Sequence, residues 1–241
     1  MQAQPPPAPQ GTTVRRVVAD ARVDVLLEAF ASGAVEPGSG AFAALSAATG
    51  AALVATVARR TLRSAAPGST PRMQEIADEA DAARPVLLSL ADRDAEANHA
   101  VMDAYRALRA EPDPAPPDAP GTDSDHDARM SRLHVVQEAL ENAVDVQLDL
   151  ARRAVFLTGL AEEATLGGDP NAAAEGVSAA AALHAAAVAA LATVELNAFA
   201  IVDDERRAEL TDTCSSLRAR AAQMLDGARE AFTRHVSVAA G

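Results

Sequence analysis

Lysine and tryptophan are missing from this chain of 241 residues, and cysteine and tyrosine occur once each. Without lysine, neither a Schiff base nor a lysine general base can form, and all 21 basic residues are arginine. The lone Cys214 has nothing to pair with inside the chain, and no Cys/His cluster has metal-ligand spacing. An internal disulfide and a metal centre are therefore not expected, and a reducing cytoplasmic compartment is the natural setting. Aromatics make up 2 % of the residues against 49 % hydrophobics, so the core must be built from Ala, Leu and Val. Such residues pack helices closely and suit sheets poorly, which predicts an all-α protein. A basic surface is lacking too: the net charge of -13 argues against binding nucleic acid or an anionic membrane.

Proline and glycine divide the rest into about six long, Ala-rich helices forming a bundle. Residues 1–14, opening "MQAQPPPAPQGTT", have neither a charged n-region nor an apolar h-region and read as a disordered Pro-rich tail, not a signal peptide. One helical domain is expected over 15–238. Its first helix runs from about Arg16 to Ser32, and "GAVEPGSG" breaks the chain before a second from Ala41 to about Ser64. A third runs from Pro71, capped by Thr70, to about Arg109, with Pro85 inside it as an expected kink. Residues 111–127 are rich in Pro and Asp and read as a surface linker. Helices four, five and six cover about Ala128–Leu166, Pro170–Ile201 and Asp204–Val236. The run 41–58 is long enough to span a bilayer, but its Ala, Gly, Ser and Thr content favours a buried helix.

Periodicity supports these assignments. In helix six Leu210, Cys214, Leu217, Ala221, Met224, Ala228 and Ala231 recur at steps of four and three, the seam of a helix packed along its length. Cys214 on that seam reads as a small buried hydrophobe. Helix three carries Met73, Ile76, Ala80, Ala83, Leu87 and Leu90, then Asp94, Ala97, Val101, Ala104 and Leu108. Burying a lone carboxylate costs several kcal/mol unless it is paired, so Asp94 implies either a structural partner or a polar pocket at that level. Helix four adds Gln137 and Gln147 to its stripe of Met130, Leu133, Leu140, Val144 and Ala151. Polar residues on corresponding seams suggest a cavity between helices.

Two Gly-rich breaks precede apolar helices. In "EPGSGAFAAL", Gly38 and Gly40 leave free N–H groups at a helix start, which can accept a carboxylate or phosphate. In "GGDPNAAAEGV", Asp169 suits an N-cap and Pro170 the first helical position. The histidines offer little chemistry. His184 is out of phase with Glu175, His99 lies in a charge stripe with Glu96 and Asp103, His134 pairs with Glu138 at the surface, and His126 and His235 fall in linker and tail. No Ser/His/Asp triad or phosphate loop can be assembled.

Taken together, "LLEAFASGAVEPGSGAFAALSAATGAAL", "DRDAEANHAVMDAY", "VVQEALENAVDVQLDLA", "GGDPNAAAEGVSAAAAL" and "ELNAFAIVDDE" resemble the formiminotransferase-cyclodeaminase and methenyltetrahydrofolate cyclohydrolase family from about Val23 to Val236. Pro37, Gly38, Gly40, Ala43, Ala44 and Leu45 fit its P-G-G-G-S-x-A-A-L block. Asp92, Asp94, Ala95, Val101, Met102, Ala104 and Tyr105 fit D-x-D-A-x-x-F-x-x-V-M-x-A-Y. The resemblance implies a cyclodeaminase-like helical homodimer, without a bound cofactor, handling a tetrahydrofolate derivative. Members close 5-formiminotetrahydrofolate to the 5,10-methenyl form with loss of ammonia, or hydrolyse the methenyl bridge. On this basis Glu175 and Asp94 are the catalytic candidates. Pro37, Gly38, Ser39, Gly40, Arg59, Arg63, Tyr105 and Asn171 are the substrate-binding ones.

The departures are specific. Ser39 and Ala41 replace a Gly and the Ser of the first block, the Lys-rich run after helix two becomes "RRTLRSAAPGS", and Asn98 stands where an aromatic is usual. Glu175 replaces the Asp of N-P-N-x-x-S-D-x-G-V, with the Ser lost and one residue missing. Three readings stay open: a folate enzyme with a Glu variant, an enzyme repurposed for another nitrogen heterocycle or secondary-metabolite intermediate, and a non-catalytic helical dimer serving as a binding or interaction protein. The two catalytic readings assume that Asp94, Gly40 and Glu175 meet in one hollow; without that meeting only a helical bundle remains.

Overall fold

The computed structural model describes residues 21–64, 71–110 and 123–239. They form six α-helices: α1 (Val23–Ala31), α2 (Ser39–Ser64), α3 (Pro71–Arg109), α4 (Asp123–Gly167), α5 (Ala173–Ala198) and α6 (Asp204–Ala239). No strand occurs among the described residues. The tail at 1–14, the Thr70 cap and most of the 111–127 linker lie outside them.

Side-chain contacts fix the direction of each long helix. Asp94 of α3 meets Gly40 at the start of α2, and Asp81 meets Arg59 near its end, so α3 runs antiparallel to α2. Gln147 and Glu163 of α4 meet Asp94 and Arg72 of α3, which reverses direction again. Contacts of Glu175 with Arg60 and of Thr193 with Ser39 run α5 antiparallel to α2. Helix α6 returns alongside α5, with Arg218 on Glu195 and His235 on the Thr165 carbonyl. The up-down course α2 to α6 therefore alternates without exception.

Helix α4 sits at the centre. Val146, Gln147 and Leu148 are buried in succession, Ala143 and Val144 are buried one turn before them, and Leu140 about two turns before. Three consecutive buried positions cover most of a helix's circumference, so α4 is enclosed on several faces. Its partners bring mostly Ala, which allows close approach: a Cβ added to Gly50 of α2 would lie 2.5 Å from Leu183 Cγ and 3.1 Å from the Ala179 carbonyl oxygen of α5. Helices α2 and α5 are each long and apolar enough to cross a membrane, but both bury one face against neighbouring helices.

The predicted stripes of α3 and α6 are largely buried, whereas that of α4 is buried only from Leu140 on, Met130 being exposed and Leu133 half-buried. Met73, Ile76, Ala80, Leu87, Leu90, Ala97, Val101 and Ala104 of α3 are in the core, as are Leu210, Cys214, Leu217, Ala221, Ala228 and Ala231 of α6. Burial pushes the Cys214 thiol above its ordinary pKa, with Glu195 adding to it and Arg218 opposing, which suits an inert core residue. Pro85 lies inside one continuous α3.

Boundaries differ at several places, and α2 begins at Ser39 instead of Ala41. The first helix is described from Val23, its expected beginning at Arg16 falling outside the described residues. Helix α4 starts at Asp123, so 123–127 are helical and not linker; Asp, unlike Pro within a helix, is a favoured residue type in a first turn. Pro170–Ala172 form a short 3₁₀ turn, α5 proper begins at Ala173, and it ends at Ala198 instead of Ile201. Helix α6 extends to Ala239, so His235 is helical and not part of a tail.

Candidate functional site

The first turn of α2 explains why glycine stands at position 40. The Gly38 carbonyl accepts the Phe42 N–H at 3.1 Å, opening the helix, and Gly40 is buried one step inside it. A Cβ on Gly40 would lie 2.1 Å from Asp94 Oδ2 and 2.3 Å from Gln147 Nε2. Real side chains cannot approach so closely, so only glycine lets the Asp94 and Gln147 side chains sit against the α2 backbone. Gln147 Nε2 donates to Asp94 Oδ1 at 2.5 Å.

Gln147 is fully buried at 0 % exposure, and its Oε1 has no hydrogen-bond partner among the described residues. A buried amide oxygen left without a donor costs about 1–3 kcal/mol, so a native one needs a reason. Asp94 beside it is half-buried. Burial pushes its carboxyl above the ordinary Asp range, the bond from Gln147 partly offsets this, and the negative Glu36 adds to the upward shift. Glu36 itself faces His99 Nε2 at 3.4 Å. His99, itself exposed, therefore reaches the rim of this cluster, while Asp103 pairs with Arg106.

The opening of α5 forms a second cluster. Asp169 accepts the Asn171 N–H at 2.9 Å, which holds its carboxyl below the ordinary range, and its own N–H donates to Thr61 Oγ1 at 2.8 Å. The predicted cap with Pro170 at the first position is what forms. Arg60 donates to the Asn171 carbonyl at 2.9 Å and pairs with Glu175. Glycines fit tightly here too: a Cβ on Gly176 would lie 2.1 Å from Thr165 Oγ1.

The two clusters are apart. Gly40 and Arg60 lie on the same helix, so at about 1.5 Å per residue Asp94 and Glu175 are separated by roughly 30 Å within one chain. The expected single hollow of Asp94, Gly40 and Glu175 does not form in the monomer. The physical reason is parity: α2 and α5 run in opposite directions, so their first turns lie at opposite ends of the bundle.

The remaining predicted residues distribute around these poles. Pro37 and Gly38 are half-buried beside Gly40, and Ser39 Oγ is 2.8 Å from Thr193 Oγ1 of α5. Asn171 lies with Glu175. Arg59 pairs with Asp81 and Arg63 is exposed, both at the far end of α2. Tyr105 is half-buried towards the end of α3, with Arg109 over its ring at 6.0 Å. They border a cavity of about 460 Å³ with Met102, Arg106 and Ala110. The sequence did not single out Gln147 as a site residue, although its place on the α4 stripe was the available signal. No group of three or more His, Cys, Asp or Glu suited to a metal occurs among the described residues.

Comparisons with known proteins agree with this architecture. A family model described as formiminotransferase-cyclodeaminase matches residues 22–216. Over 141 residues the chain is 31 % identical to methenyltetrahydrofolate cyclohydrolase of Methylorubrum extorquens, an alignment covering 58 % of this chain and 61 % of that protein. The match thus spans less than two thirds of that relative's length. The crystal structure of formiminotetrahydrofolate cyclodeaminase from Thermotoga maritima superposes with a TM-score of 0.74 over 91 % of this chain and 99 % of that one. At 23 % identity this is a likeness of fold.

Proposed function

We propose, on the premise that this chain belongs to the formiminotransferase-cyclodeaminase family, that it is an enzyme acting on a one-carbon adduct of tetrahydrofolate. In the deaminating direction N10 adds to the formimino carbon, the bond from that carbon to the departing nitrogen breaks, and the proton lost from N10 leaves on ammonia. In the hydrolytic alternative, water adds to the methenyl carbon, the bond to N5 breaks and a proton is released. Either path crosses a tetrahedral carbon between nitrogens and needs one group that both takes and returns a proton.

Asp94 is that group in this reading. Its raised pKa brings a carboxyl closer to neutral pH, where general acid–base exchange is most effective. Gln147 orients it through one amide atom, and the other, the unpartnered Oε1, is buried beside it as an acceptor that an N–H of the heterocycle would satisfy once the side chains part to admit the ligand. Gly40 leaves room for both. That orphan acceptor, seated against a glycine and beside a partly open carboxylate, carries the proposal. Glu175, paired with Arg60, anchors the start of α5 and has no chemical step in a single chain.

A homodimer in the cytoplasm is part of the same reading. Phe42, Leu196 and Phe199 on α2 and around the end of α5 are exposed apolar groups that a second copy would cover.

The experiment is to supply 5-formiminotetrahydrofolate or 5,10-methenyltetrahydrofolate and follow the methenyl absorbance band. The expected result is turnover that Asp94→Asn abolishes while folate binding persists. Binding without turnover in the unmutated protein favours a different nitrogen heterocycle as substrate. The absence of both binding and turnover removes the folate reading.

A further inference from the structure

Where carboxylates approach a helix seam in this protein, an arginine meets them. Asp81 has Arg59, Glu175 has Arg60, Glu163 has Arg72, Glu141 has Arg206 and Glu195 has Arg218. The start of α2 departs from this pattern. Glu36 lies close enough to Asp94 for its charge to act on that carboxyl, and among the described residues neither of the two has an arginine partner.

Their proximity follows from how the chain enters α2. Gly40 packs on Asp94, and four residues earlier Glu36 faces His99, which follows Asp94 by five residues on α3. The entering segment therefore lies along α3 for about 7–8 Å and brings a second carboxylate to the edge of the first. Glu36 falls just outside the P-G-G-G-S-x-A-A-L block, and His99 occupies a free position of D-x-D-A-x-x-F-x-x-V-M-x-A-Y. The pair is thus a feature of this chain's own sequence.

Two acceptors here are sealed from water without a donor, Glu36 Oε1 and Gln147 Oε1. Gln147 is fully buried and its amide nitrogen is taken by Asp94, so its oxygen has nothing to accept from. His99 does not correct the imbalance. Its Nε2 stands 3.4 Å from Glu36 Oε1 without closing a hydrogen bond, and with its side chain 66 % exposed it is free to swing into water. Even charged, it would set one cation against two carboxylates. The groups that α4 and α5 bring to this end, Gln147 on Asp94 and Thr193 on Ser39, are uncharged.

A lining of acceptors with excess negative charge has a definite complement. It repels an anion and sets a neutral carbonyl oxygen against carboxylates, but it receives a cation that carries N–H donors. An amidinium, with one positive charge shared across N–C–N, presents the same planar fork of donors to a carboxylate as guanidinium does.

We propose that Glu36 is a recognition residue which, with Asp94 and Gln147, selects a ligand bearing an amidinium cation over its neutral carbonyl counterpart. The folate reading above supplies only the identity of that ligand: of the two adducts considered, the formimino group has both the charge and the N–H donors. Recognition itself is testable without folate. Benzamidine is a stable amidinium, and benzamide is its neutral counterpart of nearly the same shape. Titrated calorimetrically into the whole protein, benzamidine is expected to bind, to weaken with added salt, and to lose about tenfold in affinity in Glu36→Gln, whereas benzamide binds neither form measurably. Asp226→Asn, which removes a paired surface carboxylate on α6, is expected to change nothing. Circular dichroism and the melting temperature confirm that each variant is folded.

The folate pair gives the second readout. 5-Formyltetrahydrofolate carries an oxygen where 5-formiminotetrahydrofolate carries the charged nitrogen, and it cannot release ammonia. Glu36→Gln is expected to raise KM for the formimino compound about tenfold, to keep kcat within a few-fold, and to leave inhibition by the formyl compound within about twofold, with Glu36→Asp recovering part of the preference. A merely structural role would weaken both compounds alike, and that result overturns the proposal. Equal affinity of benzamidine for the unmutated protein and Glu36→Gln, or no binding to either, overturns it as well. If benzamidine binds through Glu36 but no folate is bound or turned over, the recognition stands and the folate reading fails. Turnover with a KM indifferent to Glu36 leaves that reading intact and removes this proposal alone.

Discussion

Asp94 is set where chemistry and stability pull against one another. Its folded-state pKa lies above the ordinary carboxylate value, so the folded protein holds this proton more tightly than the unfolded chain does. The contribution to stability is therefore greatest at low pH, falls as pH rises from the ordinary Asp value through the raised one, and stays low above both. Asp94→Asn keeps an acceptor for Gln147 Nε2 and removes the charge. It is expected to lower kcat by roughly 10²- to 10⁴-fold. It should also raise the melting temperature at neutral pH by about 2–4 °C, on the order of 1 kcal/mol in a chain of this size. Thermal melts at a series of pH values check this, because the gain over the unmutated protein must shrink as the solution is acidified. A loss of stability at neutral pH would mean that Asp94 is a structural partner of Gln147 and that burial costs it nothing.

At the scale of the helix, the packing of α2 on α5 depends on absent side chains. Gly50→Ala would normally stabilise an interior helical position by about 0.5–1 kcal/mol. Here the new methyl would press on Leu183 and on the backbone at Ala179, so the variant is expected to be less stable by roughly 1–3 kcal/mol in urea unfolding. The start of α5 makes a second expectation. Glu175 and Arg60 are both about one-third exposed, so Glu175→Gln should cost no more than about 1 kcal/mol and leave kcat within a few-fold. A hundredfold fall in kcat would show instead that Glu175 serves a site completed by another copy of the chain.

These helices also show what could be read beforehand. The stripes of α3 and α6 were legible because Leu, Ile and Val recur among Ala at steps of three and four, and Asp94 stood out as the one charged residue on such a stripe. The cap at Asp169 was legible because Asp-Pro is local chemistry. Which helix ends meet is not local. Counting direction changes through an alternating bundle would have put Gly40 and Glu175 at opposite ends, but motif order along the chain does not carry that parity. The pairing of Gln147 with Asp94 was hidden for a related reason: the stripe marks which face is buried, and the register between α3 and α4 sets which polar residues touch.

For the molecule as a whole, the contacts between α3 and α4 are distributed along their shared length. Arg72 donates two parallel bonds to Glu163, at 2.7 and 2.8 Å, near one end; Gln147 holds Asp94 in the middle; Arg132 reaches Ala110 at the other. Peptide continuity between the two helices adds little to such an arrangement beyond keeping their local concentration high. Residues 1–116 and 117–241, produced as separate polypeptides and mixed, are accordingly expected to find each other and restore a helical complex that elutes as one species in size-exclusion chromatography. The bundle would then behave as two interlocking halves, each templating the other, with the covalent join between them dispensable.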